Sequence, residues 1–269
     1  MGEKSRGNLV IIGGHEDKSG ECAILRWVIA LAGGREASLL VLTTASEEGE
    51  AAGRTYREVF TRLGAAAVMV THVSTRQAAE DPGQTRLAQT ATGIFFTGGD
   101  QLRITSTLGG TGLGAALVDR YEDGVVIAGT SAGAAAMSGT MIVGGPEDDA
   151  PKKCTTAMAP GLGLLEEVVI DQHFAQRGRL GRLLSAVAQN PYVIGLGIDE
   201  DTAVVVRPDA RLEVIGSRTV TVADGSRLVH SNASESRPND PLALLGVLLH
   251  TLPAGYGYDL KRRQPLVPE

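Results

Sequence analysis

Short apolar runs rich in Val and Ile, each followed by a longer amphipathic stretch, constrain this chain more than any other feature of its sequence. Runs of about 4 to 8 such residues match buried strands, and the stretches between them are long enough for crossover helices. That alternation dictates an α/β fold, with a mainly parallel sheet flanked by helices. Strands are predicted at Leu9–Ile12, Leu39–Thr43, Ala67–Thr71, Ile94–Thr97 and Val125–Ala128, with a later pair around Val168–Ile170 and Ala203–Arg207. Helices fit Glu21–Leu31, Gly53–Leu63, Gln101–Leu108, Leu113–Tyr121, Ala132–Ser138 and Gly178–Gln189. The alternating stretch Leu212–Val222 reads as a hairpin, and a polar segment from Asn232 to Asp240 leads into Pro241–Leu252 and a tail containing Pro and Arg. With no repeat, low-complexity tract or long linker, residues 1–269 read as one domain.

Composition narrows the function. At 269 residues, 43% of them hydrophobic, the chain can bury a full core. A net charge of −6 argues against nonspecific nucleic-acid binding, which rests on Lys and Arg neutralising phosphates. No apolar run reaches the roughly 18 residues of a membrane span, and the start MGEKSRGNLV passes from charges into a strand without a signal-peptide core. A cytoplasmic protein with no membrane partner is expected. Cys22 and Cys154 lack zinc-ligand spacing and are expected as two reduced, structural thiols.

The strongest chemical signal is Gly129-Thr130-Ser131-Ala132-Gly133, placed between a buried strand and a small-residue helix. In that context Gly-x-Ser-x-Gly describes a nucleophile elbow, a sharp turn whose neighbours need little or no side chain. Ser131 is the candidate nucleophile. The turn puts it at a helix N-terminus, where the Ala132 N–H and the helix dipole could stabilise an oxyanion. A second donor is expected from Phe95-Phe96-Thr97-Gly98-Gly99-Asp100-Gln101, with the Gly99 N–H as candidate; a glycine turn capped by Asp100 is the simpler reading of that loop.

Among the histidines at 15, 72, 173, 230 and 250, His173 suits a general base best, because it directly follows the strand Val168–Ile170. For the acid that orients it, Asp199-Glu200-Asp201 presents three carboxylates after the apolar run Val193–Ile198. Alternation sets Glu200 opposite its neighbours and makes it the choice, with Asp199 in reserve and Asp171 as another possibility. The order Ser131, His173, Glu200 differs from those of α/β-hydrolases, chymotrypsin and subtilisin.

Arg177, Arg179 and Arg182 follow His173 with no acidic residue nearby in the segment. A solvated helix face is the ordinary explanation for such a run. Arginine forks also bind carboxylates bidentately, so a substrate with several free carboxyl groups is indicated, and Arg179 is expected to matter more for substrate than for stability. Two stretches imitate phosphate loops. In Gly13–Ser19, Asp17 stands where a Walker A loop has Gly; Gly110-Thr-Gly112-Leu-Gly114 follows a helix and not a strand. His15, Glu16 and Asp17 are too contiguous for a metal site, and neither metal nor cofactor is expected.

Taken together, Gly13-Gly14-His15-Glu16-Asp17-Lys18, Thr44-Ala45-Ser46 with Tyr56 and Phe60-Thr-Arg-Leu-Gly-Ala, Phe96-Thr-Gly-Gly-Asp-Gln101, the Ser131 elbow, Asp171-Gln-His-Phe-Ala-Gln-Arg177-Gly-Arg179 and Gly197-Ile-Asp-Glu-Asp-Thr202 resemble the peptidase family that contains cyanophycinase and the aspartyl dipeptidase peptidase E. The likeness covers nearly the whole chain. It implies a fold like that of class I glutamine amidotransferases, a flavodoxin-like three-layer sandwich with a C-terminal hairpin. It also implies a triad on Ser131, His173 and Glu200, substrate contacts at Gln101, Asp171, Gln172, Arg177, Arg179 and Arg182, and a homodimer. The implied substrate is cyanophycin, a polyaspartate with arginine on each β-carboxyl, cleaved from the chain end to β-Asp-Arg dipeptides. His15 departs from the family pattern, where a small residue is usual. A dipeptidase of the peptidase E kind, acting on α-aspartyl or isoaspartyl peptides, is the nearest alternative; a catalytically silent amidotransferase-like binding module is an alternative of another class.

Overall fold

The computed structural model describes residues 6–268, so the first five residues of the charged start lie outside it. In chain order, β1 (Leu9–Ile12), α1 (Ala23–Leu31), β2 (Ser38–Leu42), α2 (Gly49–Arg62), β3 (Ala67–Thr71), α3 (Arg76–Ala79), α4 (Pro82–Thr90), β4 (Gly93–Phe96), α5 (Gln101–Leu108), α6 (Gly112–Glu122) and β5 (Val126–Thr130) come first. There follow α7 (Ala132–Ala135), β6 (Thr140–Gly144), β7 (Ala157–Pro160), β8 (Val168–Gln172), α8 (Leu180–Gln189), β9 (Ile194–Ile198), β10 (Thr202–Val206), β11 (Arg211–Gly216) and β12 (Thr219–Asp224). The chain ends through β13 (His230–Ser231), β14 (Leu244–Leu245), β15 (Leu248–Pro253), β16 (Gly257–Asp259) and β17 (Gln264–Leu266).

A nine-stranded sheet in the order β17-β16-β11-β10-β1-β5-β4-β2-β3 organises the molecule. From β1 to β3 every pairing is parallel. From β1 to β17 every pairing is antiparallel, so the sheet is mixed and the expected parallel arrangement describes one half of it. Successive residues of β1 point to opposite faces, and all four are fully buried: Val10 and Ile12 meet Ile24, Leu25 and Val28 of α1, while Leu9 and Ile11 face the core beneath α5 and α6. The helices start where their sequences supply caps. Asp81 precedes Pro82 and accepts from Gly83 N, Asp100 accepts from Leu102 N, and Thr111 accepts from Gly114 N.

Helices thus cover both faces of the parallel half, giving the expected three layers. Over the antiparallel half a four-stranded sheet, β15-β12-β9-β8, takes the place of a helical layer, burying Ile170, Leu196, Val220 and Val222 in the same core as Val204 and Val214. Its outer face carries α8 through Leu183, Ala186 and Val187. The expected hairpin over Leu212–Val222 is corrected here. Both strands form, but β11 pairs with β10 and β16 in the large sheet, whereas β12 pairs with β9 and β15 in the small one. The chain crosses between the sheets at Ser217 and Arg218, so the alternation marks two half-buried strands without fixing their partners. The C-terminal hairpin is β16–β17.

Helices differ from the sequence reading mainly in three places: α2 starts at Gly49 and not Gly53, α3 and α4 fill a stretch for which no helix was expected, and α7 has only four residues before the chain bends at Ser138. Cys22 is buried as expected of a structural thiol, but Cys154 is exposed. Among the described residues no helix is long and apolar enough to cross a membrane.

Candidate active site

The carboxyl ends of β1, β4, β5 and β8 each contribute residues to one cleft of about 510 Å³. Openings of this kind are where parallel strands usually place ligands. Ser131 follows β5 with φ of 53° and ψ of −111°, a positive-φ conformation that a residue with a side chain adopts only under constraint. Its surroundings impose that constraint. Ser131 N donates to Ile12 O, and a Cβ on Gly133 would lie 2.5 Å from Phe96 O.

His173, immediately after β8, brings its Nε2 to 2.9 Å from Ser131 Oγ. The ring is held from two sides. Its backbone N donates to Gly13 O, and the imidazole fills the space above Gly14, where a Cβ would come within 2.3 Å of Cε1 at a φ of +101°. Glu200 follows β9 and places Oε1 2.8 Å from His173 Nδ1. Its neighbours are engaged elsewhere: Asp199 accepts from Ala175 N and Thr219, and Asp201 accepts from Asp17 N and Ser217 Oγ. Those tethers fix the backbone so that Glu200, and neither aspartate, reaches the ring.

The charges of this chain of contacts oppose one another. Burial pushes the His173 imidazole below its ordinary value of 6.5, working against the hydrogen bond it donates to Glu200, which favours the charged ring. Burial likewise works against ionisation of Glu200, yet the hydrogen bond from His173 and the nearby His15 hold its carboxyl below the ordinary range. The arrangement therefore keeps a neutral base beside the serine and an ionised carboxylate behind it.

Of the two expected oxyanion donors, Ala132 N opens α7 and has no intrahelical acceptor. The brevity of that helix corrects the expected dipole contribution, which needs more aligned peptides than four residues supply. In the second loop Gly98 lies against the serine, since a Cβ there would sit 3.4 Å from Ser131 Cβ. Gly99, at φ +140°, packs its backbone on Ala45.

The cleft is lined by residues whose roles the sequence reading left unassigned. Glu16 is buried and accepts hydrogen bonds from Tyr56 Oη and Thr130 Oγ1, while Lys18 Nζ stands 3.0 Å from it. Burial, then the charge of Glu16, push the Tyr56 hydroxyl well above its ordinary range, so it stays a donor. The phosphate-loop imitation also acquires an explanation. Asp17 turns its own carboxylate into the loop and accepts from Cys22, Gly20 and Ser19 N, which holds its pKa at about 2 and fills the space an anion would need.

The arginine segment finds acidic partners within the fold. Asp171 is fully buried and engaged bidentately by Arg182, which is itself buried. Arg179, also buried, donates to Gln172 O at 2.7 Å, Gln172 Oε1 at 2.8 Å and Glu147 Oε1 at 2.7 Å. The expected lack of acidic partners reflected sequence distance only; Asp171 and Glu147 supply them. Gln101 is likewise committed, donating to Ile142 O at 2.7 Å. Of the six expected substrate contacts, Gln101, Asp171, Gln172, Arg179 and Arg182 are absent from the cleft lining, and Arg177 is present.

The chain matches the model of peptidase family S51 over residues 9–214. It is 40% identical over 267 residues to a cyanophycinase of Geminocystis herdmanii, covering 99% of this chain and 98% of that protein. It is 39% identical over 259 residues to a cyanophycinase of Trichormus variabilis, covering 96% of this chain and 87% of the relative. A crystal structure of a peptidase from an acI-B1 actinobacterium shares the fold with a TM-score of 0.71 at 22% identity, over 96% of this chain and 98% of the other. A putative peptidase E protein from Listeria monocytogenes shares it with a TM-score of 0.54 at 16% identity, over 80% and 99%. A family match running from β1 into β11, with relatives at 40% identity over nearly the full chain, makes this protein a member of peptidase family S51.

Proposed function

We propose that this chain is a serine exopeptidase that hydrolyses cyanophycin from the chain end to β-Asp-Arg dipeptides, the whole chain acting as one catalytic unit. The observation that carries the reading is the continuous hydrogen-bonded line Ser131 Oγ, His173 Nε2, His173 Nδ1, Glu200 Oε1, with contacts of 2.9 and 2.8 Å. Ser131 Oγ attacks the scissile carbonyl as His173 Nε2 takes its proton, and Glu200 stabilises the resulting imidazolium. The N–H groups of Ala132 and of the Gly98–Gly99 loop, with Gly99 as donor, receive the oxyanion. His173 then protonates the leaving amine, and water hydrolyses the acyl-enzyme by the same transfers in reverse.

Support for an acidic, β-linked substrate comes from two sides. The relatives that cover nearly the whole chain are named cyanophycinases. On the cleft wall the exposed Arg177, 3.7 Å from Glu147, offers a cationic group to free carboxylates, while Lys18 is paired with Glu16. Arg179 and Arg182 serve this reading as positioning residues, since their contacts with Asp171 and Gln172 brace the segment that carries His173. A homodimer and a cytoplasmic setting complete the proposal.

Incubation with insoluble cyanophycin and with Asp-X dipeptides, followed by mass identification of products, tests it. Clearing of the polymer with release of β-Asp-Arg is expected; cleavage of dipeptides alone would instead favour the peptidase E-like alternative. Ser131→Ala should lower kcat by roughly 10⁴-fold or more with an unchanged circular dichroism spectrum. Full activity in that variant would sink the mechanism.

A further inference from the structure

Folding separates the contiguous trio His15-Glu16-Asp17: Glu16 turns inward, Asp17 closes its own loop, and His15 turns outward over the catalytic line. His15 Nδ1 lies 3.9 Å from Glu200 Oε2, the Glu200 oxygen that His173 does not use, and its ring meets the His173 ring edge to face at 5.2 Å. One donor atom from each of His15, His173 and Glu200 falls within 4.8 Å of the others. The chemistry proposed above leaves His15 without a task.

We propose that His15, His173 and Glu200 form a binding site for a divalent transition-metal cation of the Zn²⁺ class, and that its occupancy switches the peptidase off. Two imidazoles and a carboxylate suit Zn²⁺ or Co²⁺, whereas Mg²⁺ and Ca²⁺ demand oxygen ligands. A tetrahedral Zn²⁺ with bonds of about 2.0–2.1 Å brings its ligand atoms to separations of about 3.4 Å. His15, whose side chain is 71% exposed, can close on the ion by rotating its ring, and Glu200 can offer Oε2, the oxygen His173 does not use, while the backbones of His173 and Glu200 stay on their tethers. The fourth position faces the open cleft and is left to water.

Either ring nitrogen of His173 gives the same outcome. Coordination through Nε2 occupies the lone pair that faces Ser131. Coordination through Nδ1 moves the ring proton to Nε2, which then cannot accept from the serine. No electron transfer is needed, and removing the ion restores the base. The inhibitory half of this proposal rests on the catalytic reading of Ser131, His173 and Glu200; the binding half does not.

Calorimetric titration of the metal-stripped full chain with ZnCl₂ tests the binding half without any substrate. One saturable site per chain is expected in wild type and in Ser131→Ala. It should weaken by at least about tenfold in His15→Ala and in the more conservative His15→Gln, since even residues that only support metal ligands cost that much. Substituting Co²⁺ should produce visible absorption bands that both His15 variants lose. Turnover of a β-aspartyl substrate should fall with the same Zn²⁺ midpoint and return on adding EDTA. Equal affinity in wild type and in folded His15 variants, or no saturable binding, overturns the site. A chain that binds Zn²⁺ through His15 but cleaves no aspartyl substrate would overturn the proposed function and leave the metal site standing.

Discussion

Glu200 counteracts, at His173, what burial does to an imidazole. Removing its charge in Glu200→Gln withdraws the influence that raises the His173 pKa and leaves burial unopposed. The folded-state value then drops further, so the acidic limb of the kcat/KM profile should move to lower pH, while kcat falls by roughly 10³-fold or more because the imidazolium loses its partner. A pH–rate profile of the variant checks both, and an unmoved limb would separate Glu200 from the base. At this scale the sequence was informative wherever chemistry depends on local pattern. Ser131 stood in a five-residue motif, and Glu200 was distinguished from Asp199 and Asp201 by alternation alone. Glu16 offered no comparable signal, because what makes it matter is burial beside Thr130 and Tyr56, residues far from it in sequence.

The arginine run shows how an element can mislead when its partners are distant. Arg177, Arg179 and Arg182 read as one group, yet α8 and the turn before it send Arg179 and Arg182 into the protein and leave Arg177 on the surface. The two environments make opposite predictions. Arg182→Ala leaves the fully buried Asp171 without its bidentate partner and should destabilise the protein by about 3–5 kcal/mol, read from urea unfolding. Arg177→Ala should stay within about 0.5 kcal/mol of wild type and instead raise KM. Arg179 shares this buried setting, with its guanidinium hydrogen-bonded to Gln172 and Glu147, so its loss should cost stability as well. Nothing in the local pattern announces Glu147, which lies in the connection between β6 and β7 and reaches Arg179 only through the tertiary fold.

For the whole molecule, the parallel half was legible because each strand and its crossover form a local unit with its own hydrophobic period. The small sheet was not, because β12 must find β9 across a chain that visits the large sheet in between. Pairings of that kind depend on which faces complete a core, not on any pattern within the strand. Leu196 of β9 is fully buried between the sheets, and Leu196→Ala should cost about 2–5 kcal/mol. Since β9 leads directly to Glu200, activity in that variant should be lost at a lower urea concentration than helix content; coincident losses would show that the two sheets separate only on global unfolding.

Glu200 occupies the short passage in which the chain leaves the small sheet at β9 and enters the large one at β10. On the ribosome this position has a consequence in time. A growing polypeptide acquires its serine and then its histidine, but both remain idle until the acid emerges, and the acid is not fixed until β10 docks beside β1 and β12 beside β9. On the proposed mechanism the hydrolase therefore stays inert during most of its own synthesis, until its fold is nearly closed.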